Sequence, residues 1–307
     1  MEFTTTALNV LIMLAYSVPG FIFVKSKMID QSHIASFAKV LLYVCSPALS
    51  IYSFNCVDYS RELLINFGLF LLLSFGLQII VLTVMWLILK KKGDKDPGYR
   101  VCSVACVLSN AGFFGVPLLQ SLLPDNPEAV AYSAVYIVGM NIISWTAGSM
   151  FITGDKKYMS VKKIIFNPPV LALCVSLPLF LMGIKLPSVI DNAVSVLGKM
   201  STPLCMLILG MRLATVRVGE LVKDKHAYLS SAVKLLVFPL LSYLLVYFLP
   251  LDYGFRASFF ILCSCPTASV VLNLSEVLGA GQKSAANAVL ISTLICVITI
   301  PLLMLLA

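Results

Sequence analysis

Residues 109–118 read SNAGFFGVPL, and this stretch lies within an apolar segment that is long enough to cross a lipid bilayer. Glycine, asparagine and proline are poor helix formers. At membrane depth, irregular backbone is tolerated only where it is buried in protein or lines a cavity. The stretch therefore predicts a membrane helix that is broken for a purpose, with free N–H and C=O groups and half-helix ends for a ligand.

The composition of the whole chain is that of a polytopic α-helical membrane protein. Of its 307 residues, 60% are hydrophobic and 12% are charged, whereas a soluble domain carries about 25% charged residues. A span needs roughly 20 apolar residues, and the sequence predicts ten: residues 5–24, 34–54, 64–89, 100–122, 129–152, 165–183, 189–213, 227–249, 256–278 and 284–306.

Basic residues indicate how these ten spans are oriented. They concentrate in the loops after spans 1, 3, 5, 7 and 9, as Lys25, Lys27, Lys90, Lys91, Lys92, Lys95, Arg100, Lys156, Lys157, Lys162, Lys163, Arg212, Arg217, Lys223, Lys225 and Lys283. The alternate loops hold Arg61, Lys185 and Arg256. Because basic loops stay in the cytoplasm, we expect both termini on the extracytoplasmic side of the cell membrane. Topology thus accounts for the net charge of +8 without a nucleic acid partner.

An internal repeat divides the chain into residues 1–154 and 155–307. LYVCSPALSI (42–51) aligns with GKMSTPLCML (198–207), and RVCSVACVLSNAGFFGVPLLQ (100–120) aligns with RASFFILCSCPTASVVLNLSE (256–276), both at an offset of 156. Five spans per half would invert the second half relative to the first. Helix breakers at corresponding positions of inverted repeats are typical of secondary transporters, whose binding site lies where the broken helices meet.

At these residues the chain resembles the auxin efflux carrier family and its prokaryotic PIN-like members. NAGFFGVPLL in span 4, together with PTASVVLNLSEVLG and ISTLICVITIPLLMLL from span 9 onward, carries the resemblance along essentially the full chain. The resemblance implies ten helices in two inverted five-helix repeats, with broken helices 4 and 9 crossing in a transport domain of helices 3–5 and 8–10. Helices 1, 2, 6 and 7 would form a scaffold domain. LNLSEVLG (272–279) departs from relatives, which often have a small residue and a tyrosine–glycine ending there.

The resemblance also implies a function, namely secondary transport of small organic anions, carboxylates or auxin-like compounds, by an elevator-type motion. A sodium-coupled organic-anion symporter of the bile acid type, which shares the fold, is the first alternative. A membrane sensor that binds without transporting is the second. The sequence has no GxSxG, Walker A or HExxH motif, so we expect neither an enzyme nor an ATP-driven pump.

Ten residues are the candidate substrate contacts. The Asn110 amide would bind a substrate carboxylate or cap the broken helix, unless it only satisfies local backbone. Lys199 and Lys234 lie inside spans, where a charge is a functional candidate. The remaining seven surround the breaks or supply polar groups, as helix breakers, close-packing glycines or oxygen donors: Gly112, Gly115, Pro117, Asn141, Pro266, Thr267 and Asn273.

Three further residues are candidates for a coupling ion: Ser269, Glu276 and Asn287. Oxygen ligands suit a hard cation such as sodium, and Glu276 could instead be protonated. The simpler alternatives are hydrogen bonds across helices and, for Glu276, a solvated helix end or a pair with Lys283. We expect no cofactor or bound metal beyond such a Na⁺ or H⁺. Membrane lipid surrounds the spans, a homodimer through the scaffold is left open, and His33 and His226 are predicted to be solvated.

Overall fold

The computed structural model describes residues 3–166, 168–215, 219, 221 and 223–306. Arg217, which was counted among the basic loop residues, lies outside the described residues. Over these ranges the chain is helical and no strand is present. The α-helices, numbered α1 to α18 in chain order, are Phe3–Ala15, Val18–Lys25, Ile34–Val40, Ser46–Asn55, Arg61–Gly93, Gly98–Ala105, Val116–Leu122, Glu128–Ile143, Ser149–Thr153, Val161–Ile165, Pro168–Leu181, Ser188–Lys199, Ser201–Thr215, Lys225–Ala232, Phe238–Tyr247, Tyr253–Ser264, Val270–Leu278 and Gln282–Leu303.

Seven helical stretches of the described chain are long and apolar enough to cross a membrane: Thr4–Lys25, Gln31–Asn55, Arg61–Gly93, Glu128–Thr153, Ser188–Thr215, Lys225–Tyr247 and Gln282–Leu303. They coincide with predicted spans 1, 2, 3, 5, 7, 8 and 10. Predicted span 6 contains the shorter helix α11. Large apolar side chains such as Leu72, Phe248 and Ile298 are exposed on the outside, as expected where lipid is the solvent. An α-helical, multi-pass membrane protein is therefore confirmed.

Predicted spans 4 and 9 each divide into two helices. Span 4 consists of α6 and α7, with a π-helical turn at Ala111–Gly115 directly before α7. Span 9 consists of α16 and α17, separated by residues 265–269. All residues of α6 after Tyr99 and Arg100, and nearly all of α16, are buried. The two broken segments therefore lie at the centre of the fold rather than against lipid.

Prolines explain several local departures from α-helical geometry. Among the described residues, π-helical turns at Leu41–Cys45, Ala111–Gly115 and Val233–Val237 each end two residues before a proline: Pro47, Pro117 and Pro239. Proline has no N–H and its ring clashes with the carbonyl four residues earlier, so the preceding turn widens. Each of these prolines then occupies the start of an α-helix, where a missing N–H is harmless.

The helices pack in two groups. The first helix group comprises α2, α3, α4, α11, α12 and α13, with α2 and α3 against α13 and α4 against α11 and α12. The second helix group comprises α5 to α9 and α14 to α18, with contacts of α5 with α6 and α8, α14 with α18, and α15 with α16. Helix α1 packs mainly on α18. The contact of α4 with α8 joins the two groups.

Glycines allow the closest helix contact in the first group. A Cβ atom on Gly20 of α2 would overlap the carbonyl oxygen of Leu207 of α13. A Cβ atom on Gly210 of α13 would likewise overlap the carbonyl oxygen of Ser17. Without a hydrophobic effect between lipid-embedded helices, small residues stabilise their association by letting backbones approach. Helices α2 and α13 are therefore in direct backbone contact.

The prediction of a solvated His226 is wrong. Its Nε2 lies 2.9 Å from Oδ2 of Asp96, and its Nδ1 lies 3.1 Å from Oδ1 of Asp224. The ring also packs edge-on against Tyr99, and 12% of the side chain is exposed. Asp224 caps α14 by accepting the N–H of His226 and of Ala227. This cap holds the imidazole against the loop that carries Asp96. His33, in contrast, is exposed as predicted.

Candidate functional site

The two broken segments meet through their backbones. Ser109 and Thr267 form an isolated antiparallel bridge. Within it, the Asn110 N–H donates to the carbonyl oxygen of Pro266 over 2.8 Å, and the Ala268 N–H donates to that of Leu108 over 2.8 Å. A helix end buried without partners is unfavourable. Each break therefore satisfies backbone groups of the other.

Side chains fix this crossing from three directions. Thr267 is fully buried; its hydroxyl donates to the carbonyl oxygen of Ala105 over 3.1 Å, and its N–H donates to the hydroxyl of Ser292 on α18 over 3.1 Å. The hydroxyl of Ser109 lies 3.0 Å from that of Tyr136 on α8. The crossing is therefore tied to α6, α8 and α18.

Asn110 is the residue at which the first break becomes a helix again. Its backbone has φ −74° and ψ 59°, and its carbonyl oxygen accepts the N–H of Phe114 (3.2 Å) and of Gly115 (2.9 Å). The break thus lies at residues 107–110, before Gly112 and Pro117 rather than at them. The N–H of Asn110 thus serves the crossing, its carbonyl oxygen serves the following turn, and the residue lines the adjoining space.

That space is a central cavity of about 160 Å³. It has room for on the order of ten water molecules, since a cavity needs about 10–15 Å³ to hold one water. Most of its walls are apolar. The polar residues among those that line it are Ser46, Ser109, Asn110, Asn141, Arg212, Thr215, Ser269 and Asn273. Convergent polar groups in a mostly apolar cavity are typical of a site for a small organic ligand.

The structure brings five of the predicted site residues together around the central cavity. Asn110, Gly112 and Asn141 come from the first half of the chain, and Ser269 and Asn273 come from the second. A Cβ atom on Gly112 would come within 3.1 Å of Ile137 Cδ1. A side chain at position 112 would therefore press against Ile137.

Four other predicted residues are outside the described lining of the cavity: Gly115, Pro117, Pro266 and Thr267. A Cβ atom on Gly115 would come within 2.7 Å of Leu262 Cδ2 on α16, so this glycine permits close packing of the two broken segments. Pro266 supplies the carbonyl that accepts from Asn110. Gly115 and Pro266 therefore contribute to the contact between the two broken segments rather than to the cavity wall.

The two intramembrane lysines lie elsewhere. Lys234 is fully buried, and its Nζ donates to the carbonyl oxygen of Cys263, near the C-terminal end of α16, over 2.7 Å. The same ammonium lies 4.6 Å from the ring centroid of Phe238. Lys199 is exposed, and its Nζ lies 5.3 Å from the ring centroid of Tyr52. Neither lysine is among the described residues that line the central cavity.

The three candidate coupling residues have three different surroundings. Ser269 lines the central cavity. Glu276 Oε1 lies 3.2 Å from Nη1 of Arg212. The amide of Asn287 donates to Oδ2 of Asp224 over 2.8 Å, beside His226. They do not converge on one position.

Sequence reasoning missed five polar or thiol-bearing residues of the cavity wall: Ser46, Ser109, Cys205, Arg212 and Thr215. Arg212 was assigned to a cytoplasmic loop, although it lies at the edge of predicted span 7 (189–213). An arginine within the last turn of an apolar helix was the available signal. Ser46 precedes the repeated proline Pro47, which was noted only as evidence of the repeat.

Comparison with known families gives two matches along the chain. The sequence model of a family described as membrane transport protein matches residues 4–162 and, a second time, residues 156–304. The two matched ranges correspond to the two halves that the 156-residue offset indicates. Among curated proteins, no individual sequence matches the chain.

Proposed function

Because the chain belongs to the membrane transport protein family, the family of the auxin efflux and PIN-like carriers, we propose that it is a secondary transporter of small organic anions with its substrate site in the central cavity. The observation that carries this proposal is the crossing of the two broken segments beside that cavity. The polar wall of the cavity combines Asn110 from one half of the chain with Ser269 and Asn273 from the other.

The chemistry of the wall suits a carboxylate. Asn110 and Asn273 provide amide donors, Ser269 directly precedes α17, and Arg212 provides a positive charge. The N-terminal end of a helix favours an anion. In this proposal the carboxylate meets the Asn110 amide and the start of α17. The organic part of the substrate contacts apolar wall residues such as Phe113 and Leu209.

The motion we propose is of the elevator type, in a fold of ten helices arranged as two inverted repeats. Support comes from the packing of the helices in two groups. The first helix group, with its backbone contact between α2 and α13, would be the static scaffold. The second helix group, which contains both breaks, would carry the substrate. A homodimer through the scaffold belongs to the same proposal, as does a cell-membrane location with both termini outside the cytoplasm.

The test is uptake and charge movement in proteoliposomes that contain the purified protein. The panel consists of mono- and dicarboxylates and indole-3-acetate, with and without sodium and a pH gradient. We expect carboxylate flux that requires neither ion. A sodium-dependent current would instead support the symporter alternative, and binding without flux would support a sensor. No binding or flux across the panel would refute an organic-anion substrate while leaving family membership intact.

A further inference from the structure

Arg212 is the one charged side chain among the described residues that line the central cavity. It lies on α13, one turn before that helix ends at Thr215. Its Nη1 lies 3.2 Å from Oε1 of Glu276 on α17. The side chains are 24% and 47% exposed, respectively. Arg212, which lines the cavity, is therefore the more buried partner of this ion pair.

The ion pair also joins the two helix groups. Helix α13 packs against α2 and α3 of the first group, whereas α17 packs against α6, α9 and α18 of the second. Any displacement of one group along the other changes the distance between Arg212 and Glu276. Arginine presents five N–H donors in a planar fork, which can hold a carboxylate through two parallel hydrogen bonds. A carboxylate from a ligand can thus occupy the same fork that Glu276 contacts here.

From this geometry we infer that Arg212 is the anion-selecting residue of the central cavity and that Glu276 is its internal competitor. The inference rests on the proposed function, because it takes the ligand to be a small carboxylate. In the unliganded protein Glu276 neutralises Arg212 at the cavity. An entering carboxylate exchanges with Glu276, and the exchange leaves the charge on Arg212 balanced. The released Glu276 then no longer joins α17 to α13, so binding frees the contact between the two helix groups.

A first experiment measures the charge selectivity of the cavity without any substrate. Cys205 lines the cavity and precedes Arg212 by seven residues on α13, which places both on one helix face about 10 Å apart. The rates of its modification by 2-sulfonatoethyl methanethiosulfonate (anionic) and by 2-(trimethylammonium)ethyl methanethiosulfonate (cationic) are measured by mass spectrometry of its peptide. The ratio of the two rates cancels changes in the reactivity of the thiol itself.

We expect Arg212→Gln to lower the anionic-to-cationic rate ratio by about tenfold, the effect of removing a unit charge nearby. Glu276→Gln should raise the ratio, because it leaves the guanidinium without its counter-charge. Arg61→Gln, which removes an exposed charge at the start of α5, is the matched control and should leave the ratio unchanged. Thr215→Cys, at the exposed edge of the cavity wall, provides a second reporter if Cys205 is too deep to react. Equal ratios in wild type, Arg212→Gln and Glu276→Gln at both reporters would overturn the inference.

A second experiment measures affinity for the carboxylate that the proteoliposome panel identifies. Arg212→Gln should raise the Kd about ten- to a hundredfold, since a charge-assisted hydrogen bond is lost. Glu276→Gln should lower the Kd several-fold, and Arg212→Lys, which keeps the charge, should recover part of the loss. Transport with an unchanged Kd in Arg212→Gln would refute this inference and leave the proposed function standing. Charge-selective labelling without any carboxylate binding would refute the proposed function, and with it the exchange of a carboxylate for Glu276, and would keep only the effect of Arg212 on the charge selectivity of the cavity.

Discussion

The backbone N–H of Asn110 donates to the carbonyl oxygen of Pro266 over 2.8 Å, and so the two broken segments of the protein are bonded to each other at their breaks. Each break ends a buried half-helix that would otherwise present unpaired polar groups inside the fold. Their mutual pairing leaves the side chains beside them available for a ligand. The strength of the crossing and the chemistry of the cavity can therefore be tested separately.

Asn110→Ala tests the cavity side of this arrangement. The substitution removes the amide and leaves the backbone bond to Pro266 in place, so the fold should be retained. Loss of a hydrogen bond to a charged group, worth about 1.5–3 kcal/mol, should weaken carboxylate binding about ten- to a hundredfold. Asn192→Ala, at an exposed position on α12, is the control and should bind like wild type. Unchanged Kd in a folded Asn110→Ala variant would remove this residue from the substrate site.

Ser292→Ala tests the crossing itself. The hydroxyl of Ser292 accepts the buried N–H of Thr267, and a buried donor without a partner costs about 1–3 kcal/mol. We expect a clear fall in the melting temperature of the detergent-solubilised protein. Thr293→Val is the matched control on the next residue, because among the described residues the Thr293 hydroxyl bonds only within its own helix, to the carbonyl of Val289. Equal melting temperatures for the two variants would contradict the role assigned to Ser292.

Gly20→Ala tests the contact between α2 and α13. The added Cβ would overlap the backbone of Leu207, and overpacking of this kind costs about 1–3 kcal/mol. Gly68→Ala is the control, because a Cβ at Gly68 of α5 meets nothing within 4 Å. In a helix interior alanine is favoured over glycine by about 0.5–1 kcal/mol, so this variant should melt at the same or a higher temperature. Gly20→Ala should therefore melt at a lower temperature than Gly68→Ala, and equal melting temperatures would contradict the role of Gly20 in this contact.

Lys234→Met tests whether the buried lysine supports the fold or binds substrate. Without its ammonium, the carbonyl of Cys263 loses its donor, and stability should fall by about 1–3 kcal/mol. Carboxylate affinity should change less than twofold, because Lys234 is not among the described cavity residues. Lys199→Met is the control for loss of charge, since that lysine is exposed, and it should alter neither property. A large rise in Kd at unchanged stability would return Lys234 to the substrate site.

Hydropathy was sufficient to place seven helical stretches that are long and apolar enough to cross a membrane, because lipid imposes a length and a composition that can be read from a single segment. SNAGFFGVPL likewise predicted the first break, but the break lies several residues before Pro117. Proline is tolerated at a helix start, and here its main effect is the π-helical turn that precedes it. The motif therefore indicates that a break is present more reliably than where it lies.

Contacts between distant segments were not predictable from the sequence. His226 was expected in solvent because it lies beside a loop, yet Asp96 and Asp224 enclose it. Glu276 was considered as a partner of Lys283, the second residue of the next helix, whereas the structure places Nη1 of Arg212 3.2 Å from Glu276. Both results depend on how helices far apart in the chain pack together, and a hydropathy pattern carries no information about that packing.

The crossing of the two breaks also constrains how the protein is made. Leu108 and Asn110 obtain their backbone partners from residues 266–268, which a ribosome produces only after most of the chain has been synthesised. Until then the first break lacks these partners, and its backbone N–H and C=O groups must be satisfied by water, by lipid head groups or by an insertion chaperone. A nascent chain that stops before residue 266 therefore contains every residue of the first break but lacks the backbone partners of Leu108 and Asn110, and it cannot form the central site.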